Sequence, residues 1–432
     1  MKESLIKNTK YGKIRGTTNE YADVYMNIPF AKPPVGPLTF KAPVEPDKWE
    51  GILDCTKPGP NPIQHVGKFG VPNQSLDCLY AYIFVPKGVT GKLPVMVWIY
   101  GGAYANGGVG LFDEKTGQLY YDMSLFANDT KTIVVCFNYR VNVYGFMNFH
   151  YLDESFDLNN GLLDQILALK FVKENITEFG GDDNNITIFG QSAGGSSVMN
   201  LMSVNETKGL FNKAIVESPC IDHYFTYEES QKLTKKFLKY AKIKDLHELY
   251  NIDTDRLTTA IDKAEKWLLA KGDVRCFFSP IIDGKYLKDY PAKEFNNSDV
   301  PLLIGYTSNE CDLFMDEYPA IILPFISLKA GIKARKEEGP YRKRLSDGFT
   351  DEIYIKPITA AAKSYKSDSY LYEFAYAVPP KRAYHASEVI LMVVEKDDIG
   401  AKKIRKIFCD FAHTSNPGWE KYSVSQKPYI IK

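Results

Sequence analysis

Short apolar runs rich in valine and isoleucine recur along the chain and alternate with longer stretches of helical periodicity. That alternation predicts a mostly parallel sheet covered by helices on both faces. Six runs read as buried strands: Val95–Tyr100, Thr132–Asn138, Asn185–Phe189, Lys213–Glu217, Pro301–Tyr306 and Ser369–Phe374. Between the second and third lies Gly161–Phe179, where Leu162, Leu163, Ile166, Leu167, Leu169, Phe171 and Val172 make the first half apolar nearly all round. A helix of that kind has no solvent face and belongs in the main core. Tyr11–Phe30 carries turn residues and short alternations, which predict antiparallel hairpins before the main sheet begins. Two further stretches, Tyr227–Lys244 and Leu328–Arg344, are charge-rich and helical in character and read as solvated helix faces. No low-complexity linker or internal repeat divides the chain, so residues 1–432 are expected to form one α/β domain with insertions.

Composition adds little to the fold and removes several functions. Lys plus Arg and Asp plus Glu are equal at 53 each, so no overall field attracts nucleic acid or an anionic membrane. The uncharged stretch Leu93–Phe112 approaches membrane-spanning length, but five glycines and Asn106 fill its second half. It reads as a buried strand entering a glycine-rich loop, and no membrane insertion is expected. Met1-Lys2-Glu3 leads into mixed polar sequence rather than an apolar signal, which predicts a cytoplasmic protein, monomeric or homodimeric. The seven cysteines form no C-x-x-C pair, so they are expected to be free, mostly buried thiols, with no metal site and no cofactor. The sequons at Asn128 and Asn205 read as chance matches.

The chemistry concentrates around Gly190-Gln191-Ser192-Ala193-Gly194, which follows the strand-like Ile186–Phe189 and opens a helix at Gly195–Met202. This is the context of the G-x-S-x-G nucleophile elbow of the α/β-hydrolase fold. Small neighbours let the turn push the serine into a strained backbone conformation that exposes Oγ at a helix N-terminus. A serine hydroxyl needs a base, and the base needs an orienting acid, in the chain order Ser, acid, His. His223, His247, His385 and His413 follow Ser192, and His385 alone lies in a loop beyond a late strand. Glu310 ends the loop after the buried run Pro301–Gly305, at the sheet edge where α/β enzymes build their sites. Asp312 is its nearest rival, and Asp283 reads as a turn residue. Tyr100-Gly101-Gly102-Ala103-Tyr104 follows the strand Val95–Ile99 where backbone donors for an oxyanion belong.

With these motifs in hand, the chain resembles the type B carboxylesterases. Asn27-Ile28-Pro29-Phe30-Ala31, Asp77-Cys78-Leu79-Tyr80, Asn138-Tyr139-Arg140-Val141, Asn160–Gln165 and Phe179-Gly180-Gly181-Asp182 are similar to that family's conserved blocks. The resemblance implies Ser192 as nucleophile, Glu310 as acid and His385 as base, with an oxyanion hole formed by the N–H groups of Gly102, Ala103 and Ala193. It also implies a small-molecule ester as substrate and, from the three-small-residue loop at Gly101-Gly102-Ala103, room for a branched alkoxy group. The chain departs from the family at Gln191, where many members carry Glu, and lacks a tryptophan between Trp49 and Trp98, which argues against choline selectivity. The family's first disulfide would pair Cys78 with a cysteine near Gly59–Pro62, where none is present; Cys55 is nearby but off register. The brief stretch between Glu310 and His385 predicts a reduced lid. Two other readings share these motifs: a non-catalytic adhesion or scaffold member of the fold, and a thioesterase or amidase using the same three residues.

Overall fold

A computed structural model describes residues 5–64, 71, 73–112, 119–295, 298–315, 339–377, 379 and 381–432. Ten strands share one sheet: β1 (Thr17–Thr18), β2 (Ala22–Pro29), β3 (Tyr80–Pro86), β4 (Leu93–Ile99), β5 (Ile133–Phe137), β6 (Gly181–Gln191), β7 (Lys213–Glu217), β8 (Leu302–Thr307), β9 (Ser369–Phe374) and β10 (Tyr429–Ile431). In space they run β10-β9-β8-β7-β6-β4-β5-β3-β2-β1. The first seven of that order are mutually parallel. β3, β2 and β1 then pair antiparallel along one edge. All seven residues of β4 and all six of β8 are buried, the continuous apolar signature of strands covered on both faces.

The six expected strands are all present, and β7 and β9 have the expected ends. The start of the chain differs in one respect. Ile6–Asn8 and Lys13–Arg15 do form a hairpin apart from the main sheet, but β1 and β2 belong to that sheet, with β2 pairing β3. The reason is that β2 buries Val24, Tyr25 and Ile28, which need the main core to cover them. β3 and β10 were not foreseen as strands.

Helix α1 spans Asn160–Asn175 and ends in a tighter turn at Ile176–Phe179. It is buried on nearly every side, as its sequence predicts. Helix α2 is Ala193–Ser203. The charged α3 (Tyr227–Ala241) opens on a capping box in which Thr226 and Glu229 satisfy each other's backbone donors. Most of Leu328–Arg344 and the expected lid stretch, residues 316–338, lie outside the described residues. Beyond them come α4 (Tyr341–Thr350), a wider turn at Asp351–Ile355, α5 (Lys356–Ser364), α6 (Ser387–Val394) and α7 (Ile399–Thr414). Among the described residues no helix is long and apolar enough to cross a membrane.

The buried α1 carries a charge, Asp164, because Arg140 just after β5 meets it. The Arg140 Nη2 and Nε donate to the two Asp164 oxygens at 2.7 and 2.8 Å, and the Arg140 backbone N–H adds a third bond at 2.9 Å. Nη1 donates to the carbonyls of Thr39 and Lys41, so the guanidinium ties three distant segments together. Both side chains are essentially inaccessible. Removing one partner strands a charge in the core. Asp164→Ala is therefore expected to destabilise the fold by about 3–5 kcal/mol, read as a shift of the urea unfolding midpoint, and a loss below about 1 kcal/mol would contradict this account.

Candidate active site

The end of β6 runs into α2 with no intervening loop, and the turn is crowded. A Cβ on Gly194 would lie 2.0 Å from the Ile99 carbonyl oxygen, and one on Gly190 would lie 2.6 Å from the same oxygen. Only glycine fits at either position. Ser192, between them, takes φ 60° and ψ −125°, a conformation that costs a non-glycine residue about 1–3 kcal/mol. Its backbone N–H donates to the Glu217 carbonyl at the end of β7 (2.9 Å), which holds the turn from the neighbouring strand. The side chain thus stands at the N-terminus of α2, where the helix dipole favours negative charge.

Glu310 and His385 come together from two other strand ends. Glu310 lies in a short turn just after β8, and His385 precedes α6 in the loop that follows β9. The His385 Nδ1–H donates to Glu310 Oε2 at 2.6 Å. Glu310 Oε1 accepts from the Ser218 hydroxyl at 2.5 Å and from the Thr307 N–H at 2.7 Å. The His385 backbone N–H also donates to the Glu310 carbonyl. Carboxylate and imidazole are therefore fixed in both position and tautomer. The rings of Phe314 and Tyr354 flank the imidazole, each with its centroid 5.3 Å away.

With Nδ1 donating, Nε2 carries the free lone pair. It accepts from the Gln191 side-chain amide at 3.1 Å. Gln191, the residue before the serine, thus engages the imidazole nitrogen that an attacking serine would use.

The glycine-rich loop after β4 packs against this turn. A Cβ on Gly101 would lie 2.7 Å from the Gln191 carbonyl and 3.0 Å from Ser192 Cβ. Gly102, Ala103 and Tyr104 all have positive φ, at 107°, 55° and 57°. The Gly102 carbonyl is taken up by the N–H groups of Ala105 and Asn106. Tyr100 and Tyr139 brace the base of the loop, each hydroxyl donating to the other's carbonyl at 3.0 and 2.8 Å across rings stacked 4.4 Å apart.

The rivals considered from sequence have other partners. Asp312 accepts from Arg382 and Ser346. Asp283 caps a turn, accepting from the N–H groups of Lys285, Tyr286 and Leu287. His247 is exposed beside Asp245, and His413 faces the Thr130 carbonyl. His223 lies against Cys276. Sequence reasoning passed over Ser218 and the Gln191 amide. Ser218 stood directly after a strand read correctly, but nothing in its type separates a carboxylate-holding hydroxyl from a turn residue.

Behind the site two more carboxyls are buried. Neither oxygen of Glu217 and not Oε2 of Glu388 has a hydrogen-bond partner among the described residues. Burial pushes Glu217 above the usual carboxylate range. Burial, and then the charges of Glu217 and Glu310, do the same to Glu388. A raised folded value means that the native state holds protons the unfolded chain gives up, so this contribution to stability is full below about 4.5 and is lost as pH rises through about 8. Glu217→Gln, which keeps the shape without the proton, is expected to flatten the fall in unfolding free energy between pH 5 and pH 8.5, measured by denaturant titration at both. An unchanged slope would contradict the assignment.

Known proteins share the sequence and fold that carry this site. Residues 3–323 match the carboxylesterase family. The para-nitrobenzyl esterase of Bacillus subtilis (strain 168) is 34% identical over 454 residues, covering 98% of this chain and 90% of that protein. A solved thermophilic PNB esterase superposes with a TM-score of 0.84 at 33% identity, covering 99% of this chain and 95% of its own. A carboxylesterase of Geobacillus stearothermophilus gives 0.82 at 30% identity, with 99% and 96% covered.

Proposed function

Because the chain belongs to the carboxylesterase family and is a carboxylic ester hydrolase, we propose that it works through an acyl-enzyme on Ser192, with His385 as proton carrier and Glu310 as orienting acid. The observation that carries this reading is the 2.6 Å bond from His385 Nδ1 to a doubly anchored Glu310, beside a serine held in a strained turn. Glu310 keeps the proton on Nδ1 and the lone pair on Nε2. Substrate entry displaces the Gln191 amide from that lone pair, and the Ser192 hydroxyl takes its place.

Serine Oγ then attacks the ester carbonyl as its proton passes to Nε2. Negative charge grows on the carbonyl oxygen and is met by the N–H groups of Gly102, Ala103 and Ala193. These donors are rigid before the substrate arrives, because the crowded elbow and the tyrosine pair fix both sides, and that preorganisation lowers the barrier. The imidazolium protonates the leaving alcohol, and water repeats the sequence to release the acid. We read residues 1–432 as one catalytic domain, acting on small aryl or alkyl esters. We place it in the cytoplasm, a reading its seven free thiols favour, and take it as a monomer or homodimer.

Ser192→Ala is expected to lower kcat toward a short-chain aryl acetate by on the order of 10⁴-fold or more with the unfolding midpoint retained, and to abolish labelling by a fluorophosphonate probe. Labelling that persists at another serine would refute the assignment. The alcohol side is tested on the unaltered chain, since a β-branched residue cannot take the positive φ of Ala103. Hydrolysis of tert-butyl acetate should be slow but above the uncatalysed rate, whereas turnover of ethyl acetate alone would show that the loop leaves no room for a branched alkoxy group.

A further inference from the structure

The glycine-rich loop after β4 holds a shape that its own residues resist. Gly102, Ala103 and Tyr104 stand in succession at positive φ, and such a run persists only where its surroundings over-determine it. The chain then turns back on itself. With the Ala105 and Asn106 N–H groups on the Gly102 carbonyl, Gly107 comes to lie over the start of the loop. A Cβ on Gly107 would lie 2.4 Å from the Tyr100 ring and 2.9 Å from the Gly101 carbonyl. Whatever fixes Gly107 therefore bears directly on the limb that carries Gly102 and Ala103.

Gln64 fixes it, from a segment with no other part in the mechanism. Its Oε1 accepts the Gly107 N–H at 2.8 Å, and its Nε2 donates to the Gly107 carbonyl at 2.8 Å. The second hydrogen on Nε2 goes to the Pro62 carbonyl at 3.0 Å. A carboxamide offers an acceptor and two donors in one plane, and here all three are used, so the partners also fix which way round the amide lies. The side chain is buried. Its own segment is anchored in turn by two asparagines that follow β5. Asn138 Nδ2 donates to the Pro60 carbonyl at 3.0 Å, while its Oδ1 accepts the Val109 N–H at 2.8 Å. Asn142 Nδ2 donates to the Ile63 carbonyl at 2.6 Å, and its backbone N–H donates to the Tyr104 carbonyl at 2.7 Å. Because β5 pairs with β4 in the main sheet, loop and clasp share one rigid base.

We propose that Gln64 is a positioning residue for ester hydrolysis: by clasping Gly107 on both its N–H and its carbonyl, it holds the N–H groups of Gly102 and Ala103 where the ester oxygen becomes negative. The inference rests on the reading of those N–H groups as the oxyanion hole. Gln64 acts through Gly107 rather than on the ester. Donors aimed at an oxyanion do more for the transition state than for the bound ester, so loosening the clasp costs kcat and leaves KM nearly alone.

The test compares Gln64→Glu and Gln64→Met with the unaltered enzyme, each checked for a retained unfolding midpoint. Glutamate keeps the size and can still take the Gly107 N–H, but an ionised carboxylate returns nothing to the two carbonyls. Methionine makes neither bond. For a short-chain aryl acetate, kcat is expected to fall on the order of tenfold in the first variant and a hundredfold in the second, with KM changed by less than about twofold. A structural role alone would not predict the second readout. An aryl trifluoromethyl ketone binds by addition of Ser192 Oγ to its carbonyl carbon; the C=O π bond opens to an alkoxide in the hole, and the serine proton passes to His385 Nε2. Its affinity should fall by the same factors as kcat, while that of the matching methyl ketone stays unchanged. Should the methionine variant fail to fold, the glutamate variant decides. Full kcat in Gln64→Glu would overturn the proposal, as would a loss of kcat that the trifluoromethyl ketone does not follow. An unaltered enzyme that does not bind that ketone would instead sink the serine reading beneath it.

Discussion

The close approach of α2 to the end of β4 is the contact on which the rest of the site depends. With the Ile99 carbonyl only 2.0 Å from where a Gly194 side chain would begin, the chain has no slack between β6 and α2. Ser192 absorbs the mismatch in its own backbone angles, and the Glu217 carbonyl on β7 holds it there. Strain at one residue persists only when the surroundings over-determine it. Here the surroundings are three adjacent parallel strands, which is why the turn sits at the centre of the sheet rather than at an edge.

Electrostatics divides the carboxyl groups behind the serine. Glu310 accepts from an imidazole, a hydroxyl and a backbone amide, which suits an anion. Glu217 and Glu388 lack partners for most of their oxygens, and burial pushes both above the usual carboxylate range, toward the neutral form. A second and third negative charge next to Glu310 would work against the bond that orients His385. Tyr372, whose ring lies across Gly305 of β8, is buried among the same three acids and contributes no charge of its own.

Much of this was legible in the sequence because it rests on local pattern. Lys213–Glu217 and Ser369–Phe374 are built on apolar or aromatic centres, Ala214–Val216 and Tyr370–Tyr372, as suits a parallel strand buried on both faces. The G-x-S-x-G turn is legible for a steric reason, since its glycines answer to contacts made within a few residues and with the neighbouring strand. Asp164 gave no such signal: a carboxylate in an apolar helix declares its partner only when Arg140 arrives from β5. The N-terminal strands joined the main sheet because their buried faces needed a core that local alternation cannot locate. The Gln191 amide was recognised as a lost charge, but its bond to His385 Nε2 depends on a residue 194 positions away.

The order of strands also sets when the site can exist during synthesis. The elbow's own contacts come from β4, β6 and β7, so every residue that strains the serine has been synthesised by residue 217. Its acid and its base come roughly 90 and 170 residues later, which at about 5–20 residues per second is several seconds or more of translation. Through that interval the nascent chain displays a serine at a helix end with no base to remove its proton. The half-made protein is thereby inert toward the esters around it, and reactivity switches on only when the sheet has grown outward by two more strands.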